Sequence, residues 1–233
     1  TVAQHDALSF YVAYEPKVNF VSWYPREATY CAAGDAPNDP TNGDSVIITL
    51  SPALTMGKIH YNGFGTSVKF PMVAFGNSSS KSLMFRHVTG AITFWLKNKT
   101  GETQQIKRME VVATHSDNTE MYLWTSRNIN DARYGNGLVC RRDNTISYYT
   151  TPNGFNSTNI ARFDFSSSNG DYCPIINDDS VLITVPIPVT STAANFEISF
   201  WCSTDETGMI RSRTIKNVTI ARNKLYDFKT YEL

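Results

Sequence analysis

Apolar residues recur every second position in the clearest stretches of the chain. Ile92, Phe94 and Leu96 are separated by Thr93 and Trp95, and Phe196, Ile198, Phe200 and Cys202 by Glu197, Ser199 and Trp201. A period of two is that of a β-strand with one core face. Residues 105–113 carry Ile106, Met109, Val111 and Ala113 as apolar anchors. The short run Asn98-Lys99-Thr100-Gly101-Glu102 before them predicts a hairpin with the 92–96 strand. Further strands are predicted at 8–14, 18–24, 45–50, 67–75, 120–125, 145–149, 160–165, 180–187, 215–222 and 225–228, with a loop at 31–43. Pro71 falls inside one of them and predicts an edge, a bulge or a break. Gly135-Asn136-Gly137 is read as a turn. No segment sustains helical periodicity. Short strands with turn signals every ~8–12 residues point to an all-β sandwich or barrel.

With 233 residues the chain holds one large β domain or two smaller ones. A core of that size needs neither a metal nor a disulfide. Lys+Arg and Asp+Glu are both 21, so the formal net charge is zero. Phosphate binding needs clustered cations, and only short pairs occur (Arg141-Arg142, and Arg211 with Arg213), so no nucleic-acid partner is expected. No apolar run approaches the roughly 20 residues that span a bilayer. Only 18% of residues are charged, and Asn, Thr, Ser and aromatics are abundant, as in many exported β-proteins. Cys31, Cys140, Cys173 and Cys202 form no CxxC and allow three pairings.

Nothing in the sequence assembles a catalytic constellation, and no enzyme activity, cofactor or metal is expected. His5, His60, His87 and His115 have no metal-ligand spacing, and GxSxG, P-loop and GxGxxG motifs do not occur. His87 reads as a structural histidine at a strand end. The neighbouring carboxylates Asp178-Asp179 and Asp205-Glu206 read as turn residues rather than a converging glycosidase pair. The oxygen-rich loop at 36–44 lacks the ligand order of an EF-hand. Asn77, Asn98, Asn156 and Asn217 begin N-x-[ST] triplets. Aromatics suit half-buried strands, yet Trp95, Trp124 and Trp201 are candidates for a ligand-facing surface. The apolar strand-mates of Trp95 and Trp201 claim the core face, which turns those two side chains outward or into a second interface.

The run FPMVAFG, a polar gap, then LMFRHVTGAITFWL resembles the fimbrillin-like proteins, the pilus and adhesin subunits of type V fimbriae. IKRMEVVA (106–113), SVLITVPIPVTSTAANFEISF (180–200) and the closing IARNKLYDF (220–228) are similar to later segments of the same family, so the likeness covers roughly residues 46–228. The resemblance implies two transthyretin-like β-sandwich domains, a short one at 1–78 and a second at 79–233. It implies export as a lipoprotein, anchored at the outer membrane through a removed N-terminal lipidated segment, and display on the cell surface in a fimbrium. Assembly with other pilus subunits by β-strand addition follows from it: a protease trims the N-terminus and a neighbour's strand enters the groove. Lys17 and Arg26 flank strand-like segments and are candidate processing points. The chain stops soon after the RNK strand, which suits a tip or minor subunit, or a monomeric adhesin that contacts a host or bacterial surface protein or glycan. A surface carbohydrate-binding lipoprotein that uses exposed aromatics is the alternative.

Overall fold

The computed structural model describes residues 11–14, 19–24, 29–31, 45–48, 53–60, 63–66, 70–77, 84–125, 137–141, 145–149, 157–165, 173–175, 177–202 and 208–233. Among them are twenty-one strands. The first seven are β1 (Tyr11–Tyr14), β2 (Asn19–Tyr24), β3 (Thr29–Cys31), β4 (Ser45–Ile48), β5 (Ala53–His60), β6 (Gly63–Thr66) and β7 (Met72–Asn77). β8 (Arg86–His87), β9 (Gly90–Lys97), β10 (Gln104–Ile106), β11 (Arg108–His115), β12 (Trp124–Thr125), β13 (Gly137–Arg141) and β14 (Ile146–Tyr149) follow. The last are β15 (Ser157–Thr158), β16 (Ile160–Phe165), β17 (Cys173–Ile175), β18 (Ser180–Ile187), β19 (Ala194–Trp201), β20 (Met209–Val218) and β21 (Leu225–Glu232). The fold is all-β, as the alternation predicts.

One nine-stranded sheet dominates, in the order β20-β19-β11-β16-β5-β6-β18-β9-β21. β9 lies six strands from β19 in that order, which a flat sheet would separate by roughly 29 Å at about 4.8 Å per strand. Yet the rings of Phe94 and Phe200 meet edge to face, 5.9 Å between centroids, and Tyr231 of β21 closes the cluster 5.2 Å from Phe200. The sheet therefore curls until its two halves face each other as a sandwich. Ile92, Phe94 and Leu96 of β9 and Val181, Ile183, Val185 and Ile187 of β18 line one wall of the core. Met109, Val111 and Ala113 of β11, Phe163 and Phe165 of β16, and Phe196, Ile198 and Phe200 of β19 line the other. Each buried side chain of this size contributes about 1.5–3 kcal/mol.

That arrangement corrects the expected hairpin. β9 pairs with β18 and β21, whereas β11 pairs with β16 and β19. The loop at 98–103 and the short β10 separate the two strands, which present apolar faces to each other across the core, so they pack face to face rather than edge to edge. Asn98 anchors the crossing. It is fully buried, its Nδ2 donates to the carbonyls of Glu102 (2.6 Å) and Ile175 (2.7 Å), and its Oδ1 accepts from the Thr100 amide (3.0 Å) and hydroxyl (2.8 Å). Pro71 does mark a break: β7 starts one residue after it, and its carbonyl accepts from the Val88 amide.

The other sheets are β1-β2-β7-β8, β14-β13-β4-β3, β10-β17 and β12-β15. Sheet membership does not follow a division at 78/79. β4 pairs with β13, and the β5–β6 hairpin sits between β16 and β18, parallel to both neighbours, within the large sheet. Gly137, read as part of a turn, opens strand β13.

Candidate functional site

The two motifs that carry the family resemblance meet in space. FRHVTG supplies β8 and the start of β9, while IARNK forms the turn between β20 and β21. Arg222 Nε donates to the His87 carbonyl at 2.7 Å. The Asn223 amide donates to the Thr89 carbonyl (3.0 Å), and the Ala91 amide to the Lys224 carbonyl (2.8 Å). Asn223 sits at φ 59°, a left-handed conformation that Asn tolerates better than most residues. Tyr226 fastens the turn from below: its hydroxyl accepts from the Ala221 amide at 2.7 Å and donates to the Thr219 carbonyl at 2.8 Å. Gly90 is required by crowding, since a Cβ there would lie 2.5 Å from Ile220 Cγ2 and 2.9 Å from the Ala221 carbonyl oxygen. These residues hold β21 against β9. The ring of His87 packs edge-on against Phe70, 5.9 Å between centroids. Burial, and then the Arg222 charge, lower its pKa below the ordinary histidine value.

Open strand edges form the second feature. β1 is the outer strand of its sheet, and it pairs only with β2 among the described residues, Tyr11 opposite Trp23 through Tyr14 opposite Phe20. At the ends of the large sheet, β20 and β21 face each other across a groove of about 410 Å³ lined by Ser212, Arg213, Thr230, Tyr231 and Glu232. Following the pairings around the sheet, these two lips run antiparallel. Arg213 bridges them, with Nη1 3.4 Å from the Thr230 carbonyl oxygen and its guanidinium 6.0 Å from the Tyr231 ring centre. A bulge between Asp227 and Thr230 interrupts β21, with Lys229 at φ 61° and its amide donating to Asp227 Oδ1 at 2.8 Å. A bulge and an exposed lysine are common guards of a sheet edge.

The three candidate ligand-facing tryptophans separate. Trp95 is exposed on the outer face of β9, at 40%. Trp124 is not at the surface: it is 1% exposed and packs in the core with Met121 and Leu123, so Tyr122 becomes the outward aromatic of that segment. Trp201 leaves the core face as its strand-mates require, yet it is only 8% exposed because Arg108 lies over its ring at 4.3 Å. A desolvated cation over an indole is a packing interaction in its own right. The three therefore form no planar exposed row.

Other candidates fall into structural roles or outside view. Asp178 is a turn residue at φ 66°, paired with Lys99. Burial excludes Asn98 as a glycan acceptor in the folded chain, whereas Asn217 is exposed. Cys140 and Cys202 are free, the first buried and the second exposed. Burial pushes the Cys140 thiol up to about 12. Lys17, Arg26, Asp205, Glu206, Asn156 and the loop at 36–44 lie outside the described residues. Among the described residues no group of three or more His, Cys, Asp or Glu is placed to hold a metal ion, and no helix is long and apolar enough to cross a membrane.

No family model matches the chain, and no curated protein does. Among solved structures, the chain is similar to a candidate cell adhesion protein of Bacteroides ovatus at 10% identity and a TM-score of 0.45, with 92% of this chain and 62% of that one covered. A candidate cell adhesion protein of Bacteroides fragilis matches at 8% identity and a TM-score of 0.36, with 94% and 63% covered. The major pilin of Streptococcus pyogenes matches at 8% identity and a TM-score of 0.18, with 94% and 73% covered. The chain spans less than two thirds of the length of the first two.

Proposed function

We propose that this chain is a non-enzymatic cell-surface adhesin, a minor or tip pilus subunit that joins its neighbours by β-strand exchange. The observation that carries the reading is the position of β1. It is an outer strand held by one ladder of four residue pairs, and the candidate cleavage point Lys17 falls between it and β2 in sequence. Cleavage there would release β1 and leave the edge of β2 open. Cleavage at Arg26 would release β1 and β2 together and open β7 instead. An edge of unpaired amides and carbonyls accepts an extended segment, with main-chain hydrogen bonds for affinity and alternate side-chain positions for selectivity. The fimbrillin-like motifs agree with this reading, and with them come export as a lipoprotein, outer-membrane anchoring and a fimbrial location. In this reading the unit at 1–78 supplies the exchanging sheet and lends β5 and β6 to the sandwich of residues 79–233.

The test is limited trypsin digestion with the new N-terminus mapped by mass spectrometry. The trimmed chain is then mixed with a peptide from a partner subunit's C-terminal strand. Loss of β1, a stable peptide complex and a large rise in melting temperature are expected, together with slowed amide hydrogen exchange on the newly exposed strand. Retention of β1 after digestion, with no response to the peptide, would sink strand exchange.

A further inference from the structure

The outer face of β18, β9 and β21 carries a pocket of about 250 Å³ that the strand-exchange reading does not use. Phe70, His87, Ala91, Thr184, Lys224 and Leu225 are among the residues that line it. Ala91 and Thr184 project from the face opposite the core, because Ile92 and Ile183 beside them are fully buried. The walls are largely apolar. An apolar cavity of about 150 Å³ holds a benzene ring, so this one has room for a ring with a short substituent.

A cation belongs to the lining. Lys224 is exposed, Arg222 Nε donates to the His87 carbonyl, and neither Lys224 nor Arg86 has an ion-pair partner among the described residues. Among the described residues no carboxylate lines the pocket; the nearest in sequence, Asp227, is engaged by the Lys229 amide. An apolar slot with a cationic side chain in its lining matches a ring that bears an anionic tail.

We propose that this pocket binds a small aromatic carboxylate. The ring lies against Phe70, Ala91 and Leu225, and the carboxylate faces Lys224. The site stands whether or not β1 exchanges.

Isothermal titration with indole-3-acetate and with its neutral amide tests this, with amide shifts followed by NMR. The acid should bind with a Kd of about 1 mM or tighter. The amide should bind about two- to five-fold more weakly, the range of one exposed charge pair. Lys224→Gln should bring the acid down to the level of the amide, and Ala91→Phe should remove both by filling the slot. Shifts should centre on Ala91, Thr184 and Leu225. No heat at about 10 mM ligand, equal affinity for acid and amide, or shifts centred elsewhere would each overturn the proposal. Lys224 is exposed, so its variant keeps the test valid if Ala91→Phe does not fold.

Discussion

Gly90→Ala adds one methyl group at the point where β9 meets the β20–β21 turn. The new Cβ would lie 2.5 Å from Ile220 Cγ2 and 2.9 Å from the Ala221 carbonyl oxygen, both inside contact distance. Retreat is blocked on the far side. The Ile220 amide donates to Thr190 Oγ1 at 2.9 Å, and the Ile220 carbonyl accepts from the Thr190 amide at the same distance. The Ala221 amide is held by Tyr226 Oη at 2.7 Å. Overpacking of this kind costs about 1–3 kcal/mol, and a backbone atom in the clash places the change toward the upper end. At about 2–4 °C per kcal/mol for a chain of this length, the melting temperature should fall by roughly 4–12 °C. Thermal unfolding followed by circular dichroism measures that shift, and urea unfolding measures the free energy. The partner variant Ile220→Ala should cost about 2–5 kcal/mol alone, because Ile220 is buried. In the double variant the added methyl occupies space that Ile220 has vacated. The two effects should then fall short of additivity by about 0.5–3 kcal/mol. Gly90→Ala within about 0.5 kcal/mol of the parent, or strict additivity, would show that the junction is not packed as described.

Three other perturbations follow from the same coordinates. Asn98→Ala leaves the Ile175 and Glu102 carbonyls without their donor inside the crossing loop, and should cost about 2–4 kcal/mol in urea unfolding. A loss below about 0.5 kcal/mol would contradict the anchor role. His87 has a folded pKa below its unfolded value, so between the two the unfolded chain binds more protons, and stability rises with pH through that window up to the ordinary histidine value of 6.5. Unfolding titrations across pH 5–8 should show that His87→Gln flattens this slope, and an unchanged slope would remove His87 as its source. With a disulfide-exchange reagent at about pH 8, Cys202 should react in the native chain, whereas Cys140 should wait for unfolding, because it is buried with its thiol pushed up to about 12. Mass mapping of the labelled peptides distinguishes the two, and early labelling of Cys140 would place it at an accessible surface.

The sequence was most legible where one face of a strand meets the core and the other does not. β18 matches its predicted limits, and the alternation of Ile92, Phe94 and Leu96 and of Phe196, Ile198 and Phe200 identifies the core faces directly. The same evidence cannot say which strand lies beside which, because face periodicity is blind to edges. Hence β9 and β11, separated only by a turn-like loop and the short β10, are expected to pair, and instead they face each other across the core. β5 and β6 escaped notice because Gly57, Gly63 and Gly65 dilute the strand signal, although these strands join the two halves of the large sheet. Trp124 and Trp201 show a related limit. An outward position in the alternation does not guarantee exposure when another element, or a buried arginine, covers that face.

The motif residues teach the complementary lesson. Gly90, Arg222, Asn223 and Tyr226 look like a recognition signature in the sequence, yet each has a local mechanical reason. Gly90 makes room, Arg222 and Asn223 tie the turn to β8 and the start of β9, and Tyr226 closes the turn on itself. A segment fastened at so many points can present other groups in fixed positions. Other residues of the same segments, Lys224, Leu225, Phe70 and Thr184, line the pocket. Function on this scaffold is therefore to be sought among the side chains that the fastened turn presents and at the strand edges, where side chains and backbone groups are left over once the fold is held.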